Sequence, residues 1–535
     1  MQAHNPWSRS VLTPLKLFVL TMLSAIAGCG GGGGNSASAA LAPAAATPPV
    51  AATAAAPAAA PAANAMDTTL RELIEANRLT DDAASNRTVP AIGDPLPQLG
   101  KKLFFSKSLG GDMDVACVSC HHPLLGGSDT LSLPVGIGAV NPDVLGTGRT
   151  QATTGLPNVP RNSPTVFNAG LHDGGMFWDS RVESFGKEPD ANGARSDIRT
   201  PDVAPGTADA GAGEFLPTAQ ARFPVTSIAE MRGDVIEAGA GSDAVRTHLA
   251  ARIGGYGVGA DELSTNTWLV EFRSAFGQGT AEQLITFDRI AEALAAYERS
   301  MVFTNNRFRD YVSGNLTALS AAEKRGAILF FTEQANGGGG CTNCHSGDAF
   351  TDELHHTVAF VQFGPGKGDG NDDDFGRSRE TGDAADQYRY RTPSLLNVEV
   401  TAPYGHAGAY QTLPQVLAHY NNPDGTVDNF FDQGGACSLP QFANVAGCAA
   451  LYPASRDNSA AALRKLQRER NAGSSEFPAT NLNNNERNDI VAFLTSLTDP
   501  CVRSRVCLTP WIANPTDAGP DGQQLNARDA SGNLL

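Results

Sequence analysis

The sequence predicts a mainly α-helical protein made of two similar domains with long irregular loops between the helices. The first observation is an internal repeat, because the pattern Cys-x-x-Cys-His occurs twice, each time shortly after a Leu-Phe-Phe or Ile-Leu-Phe-Phe cluster. The second is that apolar residues recur at helical spacing in several segments. The third is that no sustained alternation of apolar and polar residues indicates a large sheet.

The clearest helical segments are 68–77, 286–301, 320–332, 413–420 and 485–497. Two short helices are expected at 99–105 and 325–331, where each Phe-Phe cluster precedes a Gly-rich turn. The segments 186–214, 363–385 and 433–478 are rich in Gly, Asp and Pro, and we expect them to be irregular connections.

The repeated pattern is typical of covalent c-type haem attachment. The two copies are Cys117-Val-Ser-Cys120-His121 and Cys341-Thr-Asn-Cys344-His345. In such a motif both thiols bond to the haem vinyl groups, and the histidine supplies the proximal ligand of the iron. The alternative is a zinc site or a disulfide, but a histidine follows both pairs in a chain with only 10 histidines. The sequence therefore predicts two covalently bound haems and two cytochrome c-like domains.

The N-terminus predicts export and lipidation. Basic residues precede an uncharged stretch, 17–27, which is too short to span a bilayer and fits the apolar part of a signal peptide. The stretch runs into Ile26-Ala27-Gly28-Cys29, a bacterial lipobox, so Cys29 is the expected lipid attachment site. An ordinary signal peptide with an incidental cysteine is the alternative. We expect a cell-envelope protein, in the periplasm or at the surface, attached to the outer membrane by its lipid alone.

These observations divide the chain into five parts. They are a lipoprotein signal peptide at 1–29, a Gly/Ala/Pro-rich linker at 30–65, an N-terminal haem domain at 66–315, a C-terminal haem domain at 316–500 and a tail at 501–535. The linker has too few large apolar residues to form a core.

Four cysteines are left after haem attachment and lipidation. They are Cys437, Cys448, Cys501 and Cys507. In an oxidising compartment they could pair with their neighbours in sequence, Cys437 with Cys448 and Cys501 with Cys507, although other pairings are possible and the sequence alone does not exclude them.

The formal net charge of −17, without a cluster of Lys and Arg, argues against nucleic acid as a partner. A basic redox protein would be attracted to such a surface, and solubility is the alternative reason for the acidity.

Further motifs resemble those of the bacterial dihaem cytochrome c peroxidase and MauG superfamily. The matching segments are Arg161-Asn-Ser-Pro-Thr-Val-Phe-Asn168, Phe177-Trp-Asp-Ser-Arg181, 219–231 and Thr401-Ala-Pro-Tyr-Gly-His406, in order around the two haem motifs. The resemblance runs from about residue 95 to about residue 500. It implies that the N-terminal haem reacts with hydrogen peroxide and that the C-terminal haem passes electrons to it.

The resemblance also implies the groups around the first haem. Gln220, Pro224 and Glu230 match the peroxide-binding positions, and Trp178 matches the residue between the haems. A carboxylate there can move a proton between the two peroxide oxygens. Ser180 departs from the usual glycine, and an insertion spans 186–215.

The first haem is expected to keep an open sixth position. No histidine occurs from 123 to 171, where classical members of the family carry a removable ligand. An open position is what a catalytic metal requires. Closure by Met113 or His172 is the alternative.

The second haem is expected to be six-coordinate. The family's ligand position falls on Tyr420, at which peroxidases carry Met and the MauG-type branch carries Tyr. A helix over 413–420 places Tyr420 on its apolar face, whereas His419, the alternative ligand, points about 100° away. A phenolate favours ferric iron, and a thioether favours ferrous iron.

The resemblance also implies a calcium ion. Its ligands would be the Asn162 side chain and the backbone carbonyls of Thr401 and Pro403. Leu396 stands where the family usually has Arg, so an ion pair of that Arg is absent.

Three functions are compatible with the sequence. The first is a dihaem peroxidase that takes electrons from a redox donor protein. The second is a MauG-like enzyme that uses peroxide to oxidise a residue, such as Trp, of a partner protein. The third is a dihaem electron carrier without enzyme activity, against which Gln220 and Glu230 argue.

Overall fold

Helices make up most of the regular structure in the computed structural model, which describes residues 64–477 and 479–535. The predicted signal peptide, Cys29 and the linker up to residue 63 lie outside the described residues. The α-helices of the described ranges are α1 Ala65–Ala76, α2 Pro95–Phe105, α3 Leu216–Gln220, α4 Ser242–Gly254, α5 Trp268–Phe276, α6 Ala281–Leu284, α7 Phe287–Arg299, α8 Arg307–Val312, α9 Ala321–Phe331, α10 Ser378–Thr381, α11 Leu413–Asn421, α12 Pro423–Asp432, α13 Ser455–Asn471, α14 Asn484–Ser496 and α15 Arg505–Leu508.

The strands of the described ranges are short. The strands β1 Gly175–Met176, β2 Val182–Ser184 and β3 Ile198–Arg199 form one antiparallel sheet, and β4 His355–His356 pairs antiparallel with β5 Tyr390–Arg391. Met176 pairs with Val182, and Ser184 pairs with Ile198. The mainly α-helical class predicted from the sequence is confirmed.

The predicted helices are present with small shifts at their ends. Helix α1 begins at Ala65 because Asn64 caps it: the Asn64 side chain accepts a hydrogen bond from the Asp67 amide, and the Asp67 carboxylate accepts one from the Asn64 amide. Helices α2 and α9 end at Phe105 and Phe331, the last residues of the two Phe-Phe clusters.

A glycine brings two helices into close contact in each repeat. Helix α2 packs on α7, and α9 packs on α14. A Cβ atom on Gly100 would lie 1.9 Å from the carbonyl oxygen of Ala293, and one on Gly326 would lie 1.9 Å from that of Asp489. Only glycine permits this approach, so the repeated glycine sets the separation of the two helices in each pair.

Two apolar clusters surround these helix pairs. The first contains Leu103, Phe104, Ile290 and Leu294, and the second contains Leu70, Phe330, Phe331, Phe493 and Leu494. Helix α1 falls in the range predicted for the N-terminal domain, yet it packs in the second cluster. The tail after residue 500 packs in the first cluster through Leu508, Leu525 and Ala527.

A third apolar cluster involves the segment 433–478, which was predicted to be irregular. That prediction was wrong for α13, a helix of 17 residues within it. Ala462, Leu463 and Leu466 are its buried apolar residues, and most of the other positions are polar or charged, so the sequence shows little helical periodicity. A disulfide joins Cys437 to Cys448 in the same segment, and another joins Cys501 to Cys507. These are the two pairings of sequence neighbours considered above.

All described residues belong to one compact unit. None of the helices within the described ranges is long and apolar enough to cross a membrane.

The glycine contact gives a stability prediction. Gly326→Ala should lower the free energy of unfolding by about 1–3 kcal/mol, because the added methyl group would overlap the Asp489 carbonyl and push α9 away from α14. Chemical denaturation of the haem-loaded protein measures this change. Gly93→Ala is the control, because no heavy atom lies within 4 Å of its added Cβ. Equal stability of the two variants would show that the helix contact is not tight.

Candidate functional site

A cavity, called the first cavity here, lies beside the first Cys-x-x-Cys-His motif. Cys117, Cys120 and His121 line it on one side. The motif follows α2 as a 3-10 turn, Cys117–Ser119, in which the Ser119 hydroxyl accepts a hydrogen bond from the Ala116 amide. This turn contacts α2, and the contact holds its side chains at the cavity.

His121 is oriented as a metal ligand would be. Its Nδ1 lies 3.3 Å from the carbonyl oxygen of Gly127 and 3.3 Å from the Ser163 hydroxyl. Burial lowers the pKa of His121 to about 4, so the imidazole is neutral and offers a lone pair. A hydrogen bond at one ring nitrogen is the usual way of fixing the orientation of a ligating histidine.

The predicted peroxide-site residues line the same cavity. Gln220 ends α3, Pro224 begins a 3-10 turn, and Glu230 lies in a single π-turn, Ile228–Arg232. The Ser227 side chain caps that turn by accepting from the Glu230 amide. The side chain of Glu230 is 24% exposed, and its Oε1 lies 3.9 Å from Arg181. Single π-turns are frequent at functional sites.

Neither residue considered as a sixth ligand of the first haem lines this cavity. Met113 packs against the first apolar cluster, and His172 lines the cavity beside the second haem motif. Two other methionines, Met176 and Met231, do line the first cavity.

Four further charged residues line this cavity, and the sequence indicated no role for them there: Arg161, Arg181, Glu298 and Lys367. Glu298 is recognisable only in retrospect, because it follows Leu294 by one helical turn of α7 and both line the cavity. Burial raises the pKa of Glu298 to about 8. Lys367 comes from a loop of the C-terminal half, and no local pattern connects it with residues more than a hundred positions earlier.

Trp178 lies between the first cavity and the second, and it lines both. Its Nε1 donates to the carbonyl oxygen of Asn162 over 2.9 Å. The flanking residues Phe177 and Ser180 have φ of +70° and +50°. A left-handed backbone at Ser180 explains why a glycine is usual in this motif.

A buried ion cluster fixes this region. Arg161 donates to Asp179 over 2.5 Å and to Asp374 over 2.6 and 2.7 Å. Burial opposes the charge of Arg161, but attraction to the two carboxylates raises its pKa above the ordinary value. Burial likewise opposes the charge of Asp179, and Arg161 nevertheless lowers its pKa. The cluster joins the motif that contains Arg161 to the Trp178 motif and to the loop that carries Lys367.

The second cavity lies at the second haem motif, and Cys341, Cys344 and His345 line it. The His345 Nδ1 lies 3.0 Å from the carbonyl oxygen of Phe350, which parallels His121. Burial lowers the pKa of His345. The apolar residues that line the second cavity include Phe330, Leu396, Val398, Leu413, Val416 and Leu417.

Tyr420 of α11 also lines the second cavity. Its ring packs edge-on against Phe360 and Phe477, and no described residue forms a hydrogen bond with its hydroxyl. His419 does not line the cavity. Its Nδ1 lies 2.7 Å from the Tyr410 hydroxyl, and its Nε2 lies 2.9 Å from the carbonyl oxygen of Val358. Both nitrogens of the alternative ligand are therefore engaged elsewhere.

The residues present fit two covalently bound haems. The four motif cysteines have free thiols, whereas the other four described cysteines form disulfides. Each motif histidine turns one nitrogen toward a backbone carbonyl. The two cysteines of each motif line a cavity. The second cavity is lined mainly by apolar residues, which suits the apolar haem ring.

The predicted calcium ligands line one cavity, and the side-chain amide of one of them already forms hydrogen bonds. Asn162, Thr401 and Pro403 all line the second cavity. The Asn162 Nδ2 donates to the carbonyl oxygens of Leu131 and Ser132, which leaves its Oδ1 as the atom for a cation.

Comparisons with known proteins show the family of this chain. The family described as di-haem cytochrome c peroxidase matches residues 95–317. The methylamine utilization protein MauG of Methylorubrum extorquens is 30% identical over 323 residues, 60% of this chain and 67% of that protein. The cytochrome c551 peroxidase of Pseudomonas aeruginosa is 26% identical over 363 residues, 65% of this chain and 81% of that protein.

The chain belongs to the dihaem cytochrome c peroxidase and MauG family. It is therefore an oxidoreductase that acts on peroxide and uses two c-type haems. Among solved structures, a MauG-like protein associated with microbial copper homeostasis is 22% identical, covers 79% of this chain and 96% of its own, and has a TM-score of 0.48. The diheme peroxidase BthA of Burkholderia thailandensis is 20% identical, covers 81% and 90%, and has a TM-score of 0.45.

Haem attachment can be tested by its stoichiometry. The mature protein should contain two haems per chain, and replacing both Cys341 and Cys344 with Ser should leave one, because the second cavity then has no thiols for covalent attachment. Pyridine haemochrome absorbance measured per polypeptide counts the haems. Replacing Cys437 and Cys448 with Ser is the control, because that pair forms a disulfide and should not alter the count. Zinc in the purified protein would contradict the assignment.

Proposed function

We propose that this enzyme reduces hydrogen peroxide at the first cavity and receives electrons through the second. The observation that carries the proposal is that Gln220, Pro224 and Glu230 share one cavity with His121. No described histidine other than His121 lines that cavity, so an open iron position is expected. A bound haem supplies the iron position and the redox equivalents.

The residues of the chain handle the proton. The Glu230 carboxylate accepts a proton from one peroxide oxygen and returns it to the other, so that water can leave. The Gln220 amide offers both a donor and an acceptor with which to orient the peroxide. Pro224 adds an apolar surface that limits the access of water.

Trp178 is proposed to carry electrons between the haems. It is the indole that lines both cavities within the described ranges, and the Asn162 carbonyl holds its Nε1. Phe177, which precedes it, has φ of +70°. Asp179, which follows it, is held by its ion pair with Arg161.

The second haem is proposed to have His345 and Tyr420 as its axial ligands. The position of Tyr420 supports this, because the residue lines the cavity and its hydroxyl has no hydrogen-bond partner among the described residues, whereas both nitrogens of His419 are engaged. A phenolate ligand favours ferric and higher states, so a MauG-like reaction, in which peroxide drives oxidation of a partner protein, is the second candidate function.

The remaining features of the proposal concern the location and the ions. The lipobox at Cys29 supports an outer-membrane lipoprotein exported to the cell envelope.

A calcium ion is proposed at the Asn162 Oδ1 and the carbonyls of Thr401 and Pro403. The predicted domains, 66–315 and 316–500, would each hold one haem. The partner is either a redox donor protein or a protein substrate.

Glu230→Gln tests the peroxide site. The variant should retain both haem spectra and react with peroxide about 10²-fold more slowly, because an amide does not accept the proton. Stopped-flow absorbance measures the rate. Glu188→Gln is the control, because Glu188 is exposed and does not line the cavity. A normal rate in Glu230→Gln would refute the assignment of Glu230.

Tyr420→Met and Tyr420→Phe together test the second ligand. The parent protein should be isolated with both haems ferric and should react with peroxide without prior reduction. Tyr420→Met should raise the reduction potential of the second haem, because a thioether favours ferrous iron. Potentiometric titration with visible spectra measures it. Tyr420→Phe keeps the ring and removes the hydroxyl, so an unchanged spectrum in that variant would show that Tyr420 only packs.

A further inference from the structure

The loop 363–374 from the C-terminal half brings a lysine to the first cavity. Asp374 at its end binds Arg161, which itself lines that cavity. Within the loop, the Lys367 amide donates to the carbonyl oxygen of Asp373. Gly366, with φ of +65°, lies so close to Asp372 that a Cβ would be 2.3 Å from its backbone. The loop is thus folded tightly, and Lys367 lines the same cavity as Glu230.

The cations of this cavity differ in their partners. Arg161 is paired with Asp179 and Asp374. The guanidinium of Arg181 lies over the Phe177 ring and 3.9 Å from both Asp179 and Glu230. Among the described residues, no hydrogen bond or ion pair involves the Lys367 ammonium.

This arrangement matters when Glu230 takes a proton. The O–H bond of H₂O₂ breaks, a new O–H bond forms on the carboxylate, and the negative charge moves to HOO⁻; no electron is transferred. Arg181 faces the carboxylate that has just been neutralised. Lys367 is the cation of this cavity without a carboxylate partner among the described residues, so its charge is available to the peroxide anion, and preorganised charge of this kind is the largest contribution in many active sites.

We propose that Lys367 is a catalytic residue of the peroxide site, where its ammonium binds the peroxide anion that forms when Glu230 accepts a proton. This rests on the proposed function of the first cavity. It also makes the site dependent on both halves of the chain, since Lys367 belongs to the C-terminal half and Glu230 to the N-terminal half. The same position would bind other small monovalent anions.

The charge of Lys367 should be lost at moderately alkaline pH. Burial lowers its pKa to about 8, assisted by Arg181 and Arg161 and opposed by Asp179 and Glu230. The ammonium is therefore present at pH 7 and disappears as the pH rises through about 8. Glu298 also lines the cavity, with a pKa of about 8, and ionises over the same range. A variant of Lys367 is needed to separate the two groups.

The experiment compares Lys367→Met and Lys367→Arg with the parent protein from about pH 6 to about pH 10, in haem-loaded protein of verified haem content. Lys187→Met is the control, because it removes the same charge from a side chain that is 41% exposed and does not line the cavity. Stopped-flow absorbance gives the rate with peroxide. Absorbance titration with sodium azide gives the dissociation constant of a small anion, and potentiometry gives the reduction potentials.

The parent rate should fall as the pH rises above about 8. Lys367→Met should be slower by roughly 10²-fold at pH 7, should show no such fall, and should bind azide about tenfold more weakly. Lys367→Arg should keep the rate at pH 7 and move the fall to higher pH, because arginine stays charged. Lys187→Met should behave like the parent protein.

Several results would overturn the inference. One is an unchanged rate and azide affinity in Lys367→Met, and another is a fall above pH 8 that persists in that variant, which would assign it to Glu298. A changed reduction potential alone would show that Lys367 pairs with the haem carboxylates. If no variant matures, a parent rate that does not fall above pH 8 would also refute it. A normal rate in Glu230→Gln would instead refute the proposed function itself.

Discussion

The buried ion cluster of Arg161, Asp179 and Asp374 is the constraint on which the two cavities depend. It connects the Arg161 motif and the Trp178 motif, whose paired residues are 18 positions apart, with the loop of Lys367, whose Asp374 lies 213 positions after Arg161. All three side chains are less than one-tenth exposed, so each charge requires its partners. Removing one partner from such a cluster typically costs about 3–5 kcal/mol, because a charge is left buried and unpaired.

The repeated helix pairs provide the rigid surroundings of both haem motifs. A glycine in α2 and another in α9 allow contact distances that no side chain would tolerate. The Phe-Phe clusters at the ends of these helices then fill the two cores. Each haem motif follows its helix after a short connection that contains a 3-10 turn, so its thiols and imidazole lie close to helices that are already packed. The two repeats differ in what packs beside them: the C-terminal tail packs on the first cluster, and the segment with α13 contributes to a third cluster beside the second cavity.

Local sequence patterns predicted the helices that have a clear apolar face. They did not predict a helix in which few apolar residues are buried. Helix α13 was missed because only a few of its residues are apolar and buried. The haem motifs, Glu230 and Tyr420 were recognisable because each lies within a short motif or on a regular helix face. Glu298 and Lys367 were not, since a glutamate on a helix and a lysine in a Gly-rich loop are ordinary surface residues until packing places them in a cavity.

The sequence by itself therefore determined the chemistry: two haem attachment motifs, a mainly helical fold and the family of peroxide-dependent enzymes. These depend on residue type and on spacing over a few positions, which bonding and helix geometry impose locally. Only the tertiary structure decided which charged residues line the first cavity, that His172 lines the second, and that the C-terminal half contributes Lys367 to the first. Such assignments depend on contacts between segments hundreds of residues apart, and no local spacing encodes them.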